Sequence, residues 1–196
     1  MNHSEPLMLS DSSAAVDAVI DRVGREIVLG LPLGIGKPLR FANALYQRAL
    51  DDPSLKLHIV TGLSLQAPTG SSSLERRFLA PFTERLYGTI PELLYARDAA
   101  AGNLPDNVRV SEFFFQAGSF LHVPQQQRHY VSSNYTHAVR DLLAQGMNVI
   151  AQMVAPGPDG DDAKAGGAYS LSSNPDLTLD LIPLLRQRQQ QGTPVA

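Results

Sequence analysis

The chain has 196 residues, 43% of them hydrophobic, with a formal net charge of −3 and no cysteine. That length suits one domain of moderate size, or one and a half, with ample apolar material for a core. The charge balance offers no basic patch to nucleic acid. The lack of cysteine excludes disulfides, thiolate metal sites and cysteine nucleophiles, and fits a cytoplasmic protein.

Residues 1–11 read as a disordered tail without a signal-peptide core. No apolar run approaches the length of a membrane span, so a membrane is not an expected partner. Residues 12–196 read as one domain. Val16, Val19, Ile20 and Val23 share one face of a helix over 13–23, with Ser12 or Ser13 as its N-cap and Gly24 as its end. A strand follows over 26–31, a helix over 38–50 and a second strand over 57–61. Residues 73–87 have helical period, with Pro81 placed to kink or divide them; a shorter helix covers 91–100. Residues 103–107 turn the chain into a third strand over 108–115. A helix over 134–145, capped by Asn134 and stopped by Gly146, leads to a near-continuous apolar strand over 148–154. Residues 156–167 form a turn-rich, solvated loop. Its Asp159, Asp161 and Asp162 lack the spacing of a calcium loop. A short strand over 168–171 and a helix over 176–190, kinked or started by Pro183, complete the pattern; Gly192 is the expected C-cap.

Strands alternating with helices predict an α/β fold with a mostly parallel sheet flanked by helices. Ligands of such sheets bind at the carboxyl ends of the strands. That rule gathers the 34–37 loop, the 61–64 segment and the region after Phe115 into one crevice. The 30–38 stretch, GLPLGIGKP, has a strand before it, a helix after it, two central glycines and a lysine. It is not a nucleoside-triphosphate loop. Gly30 stands one position too early, and Pro38 replaces the hydroxyl that would hold magnesium. The dinucleotide fingerprint fails at Leu39, where its third glycine belongs. What remains is a βα turn in which Gly34 and Gly36 permit close backbone approach, before a helix N-terminus able to face an anion. The side chain of Lys37 reads as an anion contact or a solvated charge, and solvent is the favoured expectation.

Other candidates carry less. Gln66 replaces the second glycine of a hydrolase elbow around Ser64. His137 and Asp141 share a helix face, but two ligands make a poor zinc site, so they read as a surface pair. Asn134 is either a wall of the crevice or a helix cap. Glu112 is conceivable as a stand-in nucleophile, but strand alternation more simply sends it to solvent or a salt bridge.

Five segments come in one order: 30–45, 61–64, 130–137, 148–155 and 167–171. That order resembles the N-terminal domain of the acetyl-CoA hydrolase/CoA-transferase family, with a likeness running from about Ile27 to the C-terminus. The resemblance implies a fold of the NagB/RpiA/CoA-transferase type, with two similar domains. It implies acyl-CoA thioesters and carboxylates as substrates, with coenzyme A entering as substrate and no cofactor permanently bound. It also implies a glutamate nucleophile in a second, C-terminal domain, together with most of the oxyanion-stabilising backbone. The chain stops just past a helix, which reads as truncation before that domain. On this reading the chain alone is inactive and carries no catalytic residue. Gly34, Gly36, Gly62, Ser64 and Asn134 would line the substrate crevice, with Ser64 donating to a carboxylate or thioester oxygen or serving as a turn residue. Two other readings stay open: a non-catalytic acyl-CoA or anion-binding module, and a structural domain that pairs with a missing half. An exposed edge or apolar face would favour a homo-oligomer.

Overall fold

The computed structural model describes residues 6–34, 36–157, 168–171 and 175–196. The expectations for residues 1–5 and for most of the 156–167 loop therefore lie outside the described residues. The elements run α1 (Ser12–Val23), β1 (Glu26–Gly30), α2 (Leu39–Asp51), β2 (Lys56–Thr61), α3 (Ser73–Tyr87), α4 (Leu94–Ala101) and β3 (Val108–Glu112). They continue with α5 (Pro124–Arg128), α6 (Tyr135–Ala144), β4 (Val149–Ile150), β5 (Ala155–Pro156), β6 (Tyr169–Ser170) and α7 (Thr178–Gln190).

Four parallel strands form one sheet in the order β3-β2-β1-β4. The chain steps from β1 to β2 to β3 in one direction, then returns to place β4 on the other side of β1. Strand order therefore reverses between β1 and β4, which is where ligands of open parallel sheets bind. β5 and β6 make a separate antiparallel pair.

Register explains the two faces. Ile27, Leu57 and Val108 lie in line, as do Leu29, Ile59 and Val110. These six residues are buried in the larger core with Val16 of α1, Leu45 and Tyr46 of α2, and Tyr95 and Ala99 of α4. The opposite face is thinner. Val60 packs there with Phe113, Ala138 and Leu142 of α6, Met147 and Leu181 of α7. Gly30 gives Met147 its place, since a Cβ on Gly30 would lie 2.2 Å from the Met147 sulfur.

Several expected boundaries shift for identifiable reasons. Asp11, not Ser12 or Ser13, caps α1, its Oδ1 accepting the Ala14 N–H at 2.9 Å. The third strand ends at Glu112 because its partner β2 ends at Thr61, the residue opposite. The apolar run over 148–154 pairs only at Val149 and Ile150, since β1 ends at Gly30. Asn148 extends that pairing through its side chain, accepting the Val28 N–H at 2.8 Å and donating to the Glu26 carbonyl at 2.9 Å. Pro81 lies inside a continuous α3. The Thr83 hydroxyl donates to the Leu79 and Ala80 carbonyls beside it, each at 3.1 Å. Helix α5 has no counterpart in the sequence reading. After α7, Gln191 is the C-cap, and Gly192 follows at φ 92°. The tail then reaches β4: Ala196 N–H donates to the Asn148 carbonyl at 2.9 Å, and its own carbonyl accepts Ile150 N–H at 3.0 Å.

Candidate functional site

The carboxyl ends of β1, β2 and β3 bring together Lys37, Thr61, Ser64 and Glu112. Lys37 leaves the loop after β1 and turns inward. It is 3% exposed, and its Nζ donates to the Thr61 hydroxyl at 2.8 Å. Thr61 passes its own proton toward the Pro32 carbonyl at 3.4 Å. This corrects the expectation of a solvated Lys37. The side chain reaches the end of β2, where the Thr61 hydroxyl meets the ammonium out of solvent. Burial draws the Lys37 ammonium down to about 7, against the carboxylates of Glu112 and Asp176, which favour its charge.

Glu112 is also inside, at 2% exposure. Alternation explains why once the face is known: Val108, Val110 and Glu112 share the side covered by α2 and α4, while Arg109 points the other way. The expectation of a solvent-facing Glu112 is thus overturned. Its Oε1 accepts the Ser64 N–H at 2.8 Å. Burial raises its carboxyl above the usual range, partly offset by the Ser64 hydrogen bonds and the Lys37 charge. Ser64 spends its hydroxyl on the Tyr95 phenol at 2.9 Å, and burial raises that phenol well above its ordinary value.

The candidate glycines hold this edge together. Gly34 carbonyl accepts Lys37 N–H at 3.1 Å, closing the turn, and Gly36 carbonyl accepts Met153 N–H at 2.7 Å, tying the turn to the chain after β4. At Gly62 a Cβ would lie 2.6 Å from Leu33 Cδ1 and 3.0 Å from Phe113 Cζ, so a larger residue would push the β1 and β3 loops apart. Asn134 is the cap of α6, its Oδ1 accepting Thr136 N–H at 3.0 Å. Its exposed side chain serves the helix, and the adjacent Tyr135 faces the crevice, with its ring 5.7 Å from Phe113 and edge to face.

One residue in the crevice escaped the sequence reading. Asp176 stands at the switch point between β1 and β4. Its Oδ2 accepts the Leu33 N–H at 2.5 Å, and its carboxylate also takes a hydrogen bond from Tyr135. It sits at φ 46°, a left-handed conformation that aspartate tolerates better than most residues. The Pro175-Asp176 pair before a helix was the available signal, a turn dipeptide read only as a helix start. The cavity at this point measures about 30 Å³ and is lined by Gly30, Thr61, Gly62, Phe113, Ile150 and Asp176 among others. That is room for a water molecule, not for an acyl group.

At the opposite end of the sheet a wider, open hollow of about 240 Å³ is bordered by Glu26, Lys56, His58, Asp106 and Arg109. His58 Nε2 meets the Ser111 hydroxyl at 2.9 Å; burial first, then Arg109 and His129, lowers His58 to about 4. Asp141 accepts from Ser133 at 2.6 Å and from Arg140 at 2.8 Å, which hold its carboxyl below the usual range. Among the described residues no group of three histidines, aspartates or glutamates is placed to hold a metal ion. Among the same residues, no helix is long and apolar enough to cross a membrane. Compared with family models, curated proteins and solved structures, the chain finds no match.

Proposed function

We propose that this chain is the N-terminal half of a cytoplasmic acetyl-CoA hydrolase/CoA-transferase, acting on acyl-CoA thioesters and carboxylates with a glutamate nucleophile supplied by a second domain. One observation carries the reading. Lys37 and Thr61, from two of the segments that bear the family resemblance, meet at 2.8 Å at the carboxyl end of a parallel sheet, and Tyr135, from a third, lies 5.7 Å from Phe113 beside Gly62. The NagB/RpiA/CoA-transferase type of fold belongs to the same proposal.

The chemistry divides accordingly. Attack on a thioester carbonyl needs an accessible carboxylate. The carboxylates at this edge are engaged: Glu112 is buried and bonded to Ser64, and Asp176 is bonded to Leu33. This half therefore contributes a wall: the Gly62 loop, the Ser64 backbone and the buried Lys37 and Glu112 behind it. The same engaged carboxylates favour a second reading, a non-catalytic acyl-CoA or anion-binding module.

The test compares acetyl-CoA turnover, with several carboxylates as acceptors, for this chain alone and for this chain joined to its downstream coding region. Turnover only in the longer protein supports the half-site. Turnover by the short chain overturns it. Absence of turnover in both, with retained acetyl-CoA binding by the short chain, transfers the assignment to the binding module.

A further inference from the structure

Among the described residues, two enclosed side-chain atoms have no hydrogen-bond partner: Gln126 Oε1 and His129 Nδ1. Gln126 is 1% exposed. The two belong together. They stand three residues apart at the end of α5, where the His129 N–H donates to the Gln126 carbonyl at 3.1 Å. In such a turn, side chains three apart lie one above the other. A buried acceptor left bare is costly, and its usual remedy is a bound water or ion.

Their neighbourhood is cationic. The bridge between Tyr130 and Glu112 sets this turn beside the outer edge of β3. Arg109 and Ser111 of β3 share one sheet face with His58 of β2, whose Nε2 meets the Ser111 hydroxyl. The charges that act on the two imidazoles are all positive: Arg109 and His129 on His58, Arg109 and Arg128 on His129. The ion pairs of the described residues use Arg25, Arg48, Arg97 and Arg140, and leave Arg109 and Arg128 out. His58 and Arg109 also border the open hollow of about 240 Å³, which gives a solute access. Glu26 and Asp106 border it too, yet neither is among the charges acting on His58 or His129.

These requirements select a ligand. It must donate a hydrogen bond to Gln126 Oε1 and present negative charge to Arg109. Water donates but leaves the charge uncompensated. Sulfate compensates the charge but has no proton to give. A phosphate monoester, with its second ionisation near about 6, has also lost its proton above neutrality. Inorganic phosphate does both, since it keeps a hydrogen throughout the neutral range. His129 Nδ1 donates or accepts according to its tautomer, so it suits either kind of phosphate oxygen. We propose that Gln126, His129 and Arg109 form a binding site for inorganic phosphate between α5 and β3. None of these residues belongs to the crevice, so the site stands or falls apart from the reaction assigned above.

Titration of the full chain with inorganic phosphate at about pH 7.5 and constant ionic strength, read from the histidine ring resonances, tests this directly. The expected result is a saturable shift of His58 and His129 with His137 unmoved. Arg109 is exposed, so Arg109→Gln should leave the far-ultraviolet circular dichroism spectrum unchanged and weaken phosphate binding on the order of tenfold. Gln126→Leu should weaken binding while leaving the chain at least as resistant to urea, because the bare acceptor is gone. Sulfate and methyl phosphate should each bind on the order of tenfold more weakly than phosphate. Absence of a saturable shift, which leaves only an ordered water at the two atoms, overturns the proposal. Equal movement of His137, or binding indifferent to Arg109→Gln, assigns the effect to general surface charge and overturns it. Sulfate binding as tight as that of phosphate overturns it equally, because donation to Gln126 then plays no part.

Discussion

Lys37 carries the largest electrostatic consequence at the residue scale. Its folded-state value of about 7 lies below the 10.5 of an ordinary lysine. Between those two values the unfolded chain binds a proton that the folded chain does not, so stability rises with pH across that window. The midpoint of urea unfolding is expected to increase from pH 7 toward pH 10 and to flatten in Lys37→Met. A wild-type profile as flat as that of the variant would refute the burial argument. His58 works on the acid side. Its folded value of about 4 lies below the ordinary 6.5, so the native state stays neutral while the unfolded chain protonates. Its contribution is whole above pH 6.5 and lost as pH falls toward 4. Substitution by Asn should shrink the loss of melting temperature between those pH values.

Caps and close approaches decide matters at the element scale. The side chain of Asn134 holds the first turn of α6, so Asn134→Ala is expected to cost about 1 kcal/mol in urea unfolding without altering ligand binding. A large loss of acyl-CoA binding with unchanged stability would instead restore Asn134 as a wall of the crevice. Gly62 behaves differently. A Val there meets Leu33 and Phe113 at once, and overpacking of this kind costs about 1–3 kcal/mol. Because the strain falls on the loops of the crevice, Gly62→Val should impair binding as well as stability. Secondary structure was largely legible at this scale. The valine and isoleucine spacing of α1, the helical period of α3 and the asparagine cap of α6 are local signals, and they placed those elements. Strand ends were less legible, because the run over 148–154 stays apolar beyond Ile150, and only the length of β1 decides where pairing stops.

For the whole molecule, the strand order determines where the crevice lies and how the sheet ends. β4 pairs at only two positions with β1, yet its other edge is met by the tail, where Val195 is 7% exposed and Ala196 bonds to Asn148 and Ile150. Removing Val195 and Ala196 is expected to lower unfolding stability by about 2–3 kcal/mol, from one buried valine and two hydrogen bonds. An unchanged midpoint of urea unfolding would show the tail to be dispensable.

Composition and periodicity were sufficient to identify an α/β chain with parallel strands, because burial of alternating and 3.6-spaced apolar residues is a local requirement that sequence must meet. They also placed Gly34, Gly36, Gly62 and Ser64 near strand ends, since these residues follow the apolar runs that make β1 and β2. The direction of a polar side chain is a different kind of quantity. Lys37 and Glu112 look like surface charges in the sequence, and only the layering of α2 and α4 over one face of the sheet puts both of them inside. Asp176 meets Leu33 across 143 positions of chain. No local pattern encodes that contact, because it arises only when the strand order brings the start of α7 to the carboxyl ends of β1 and β4.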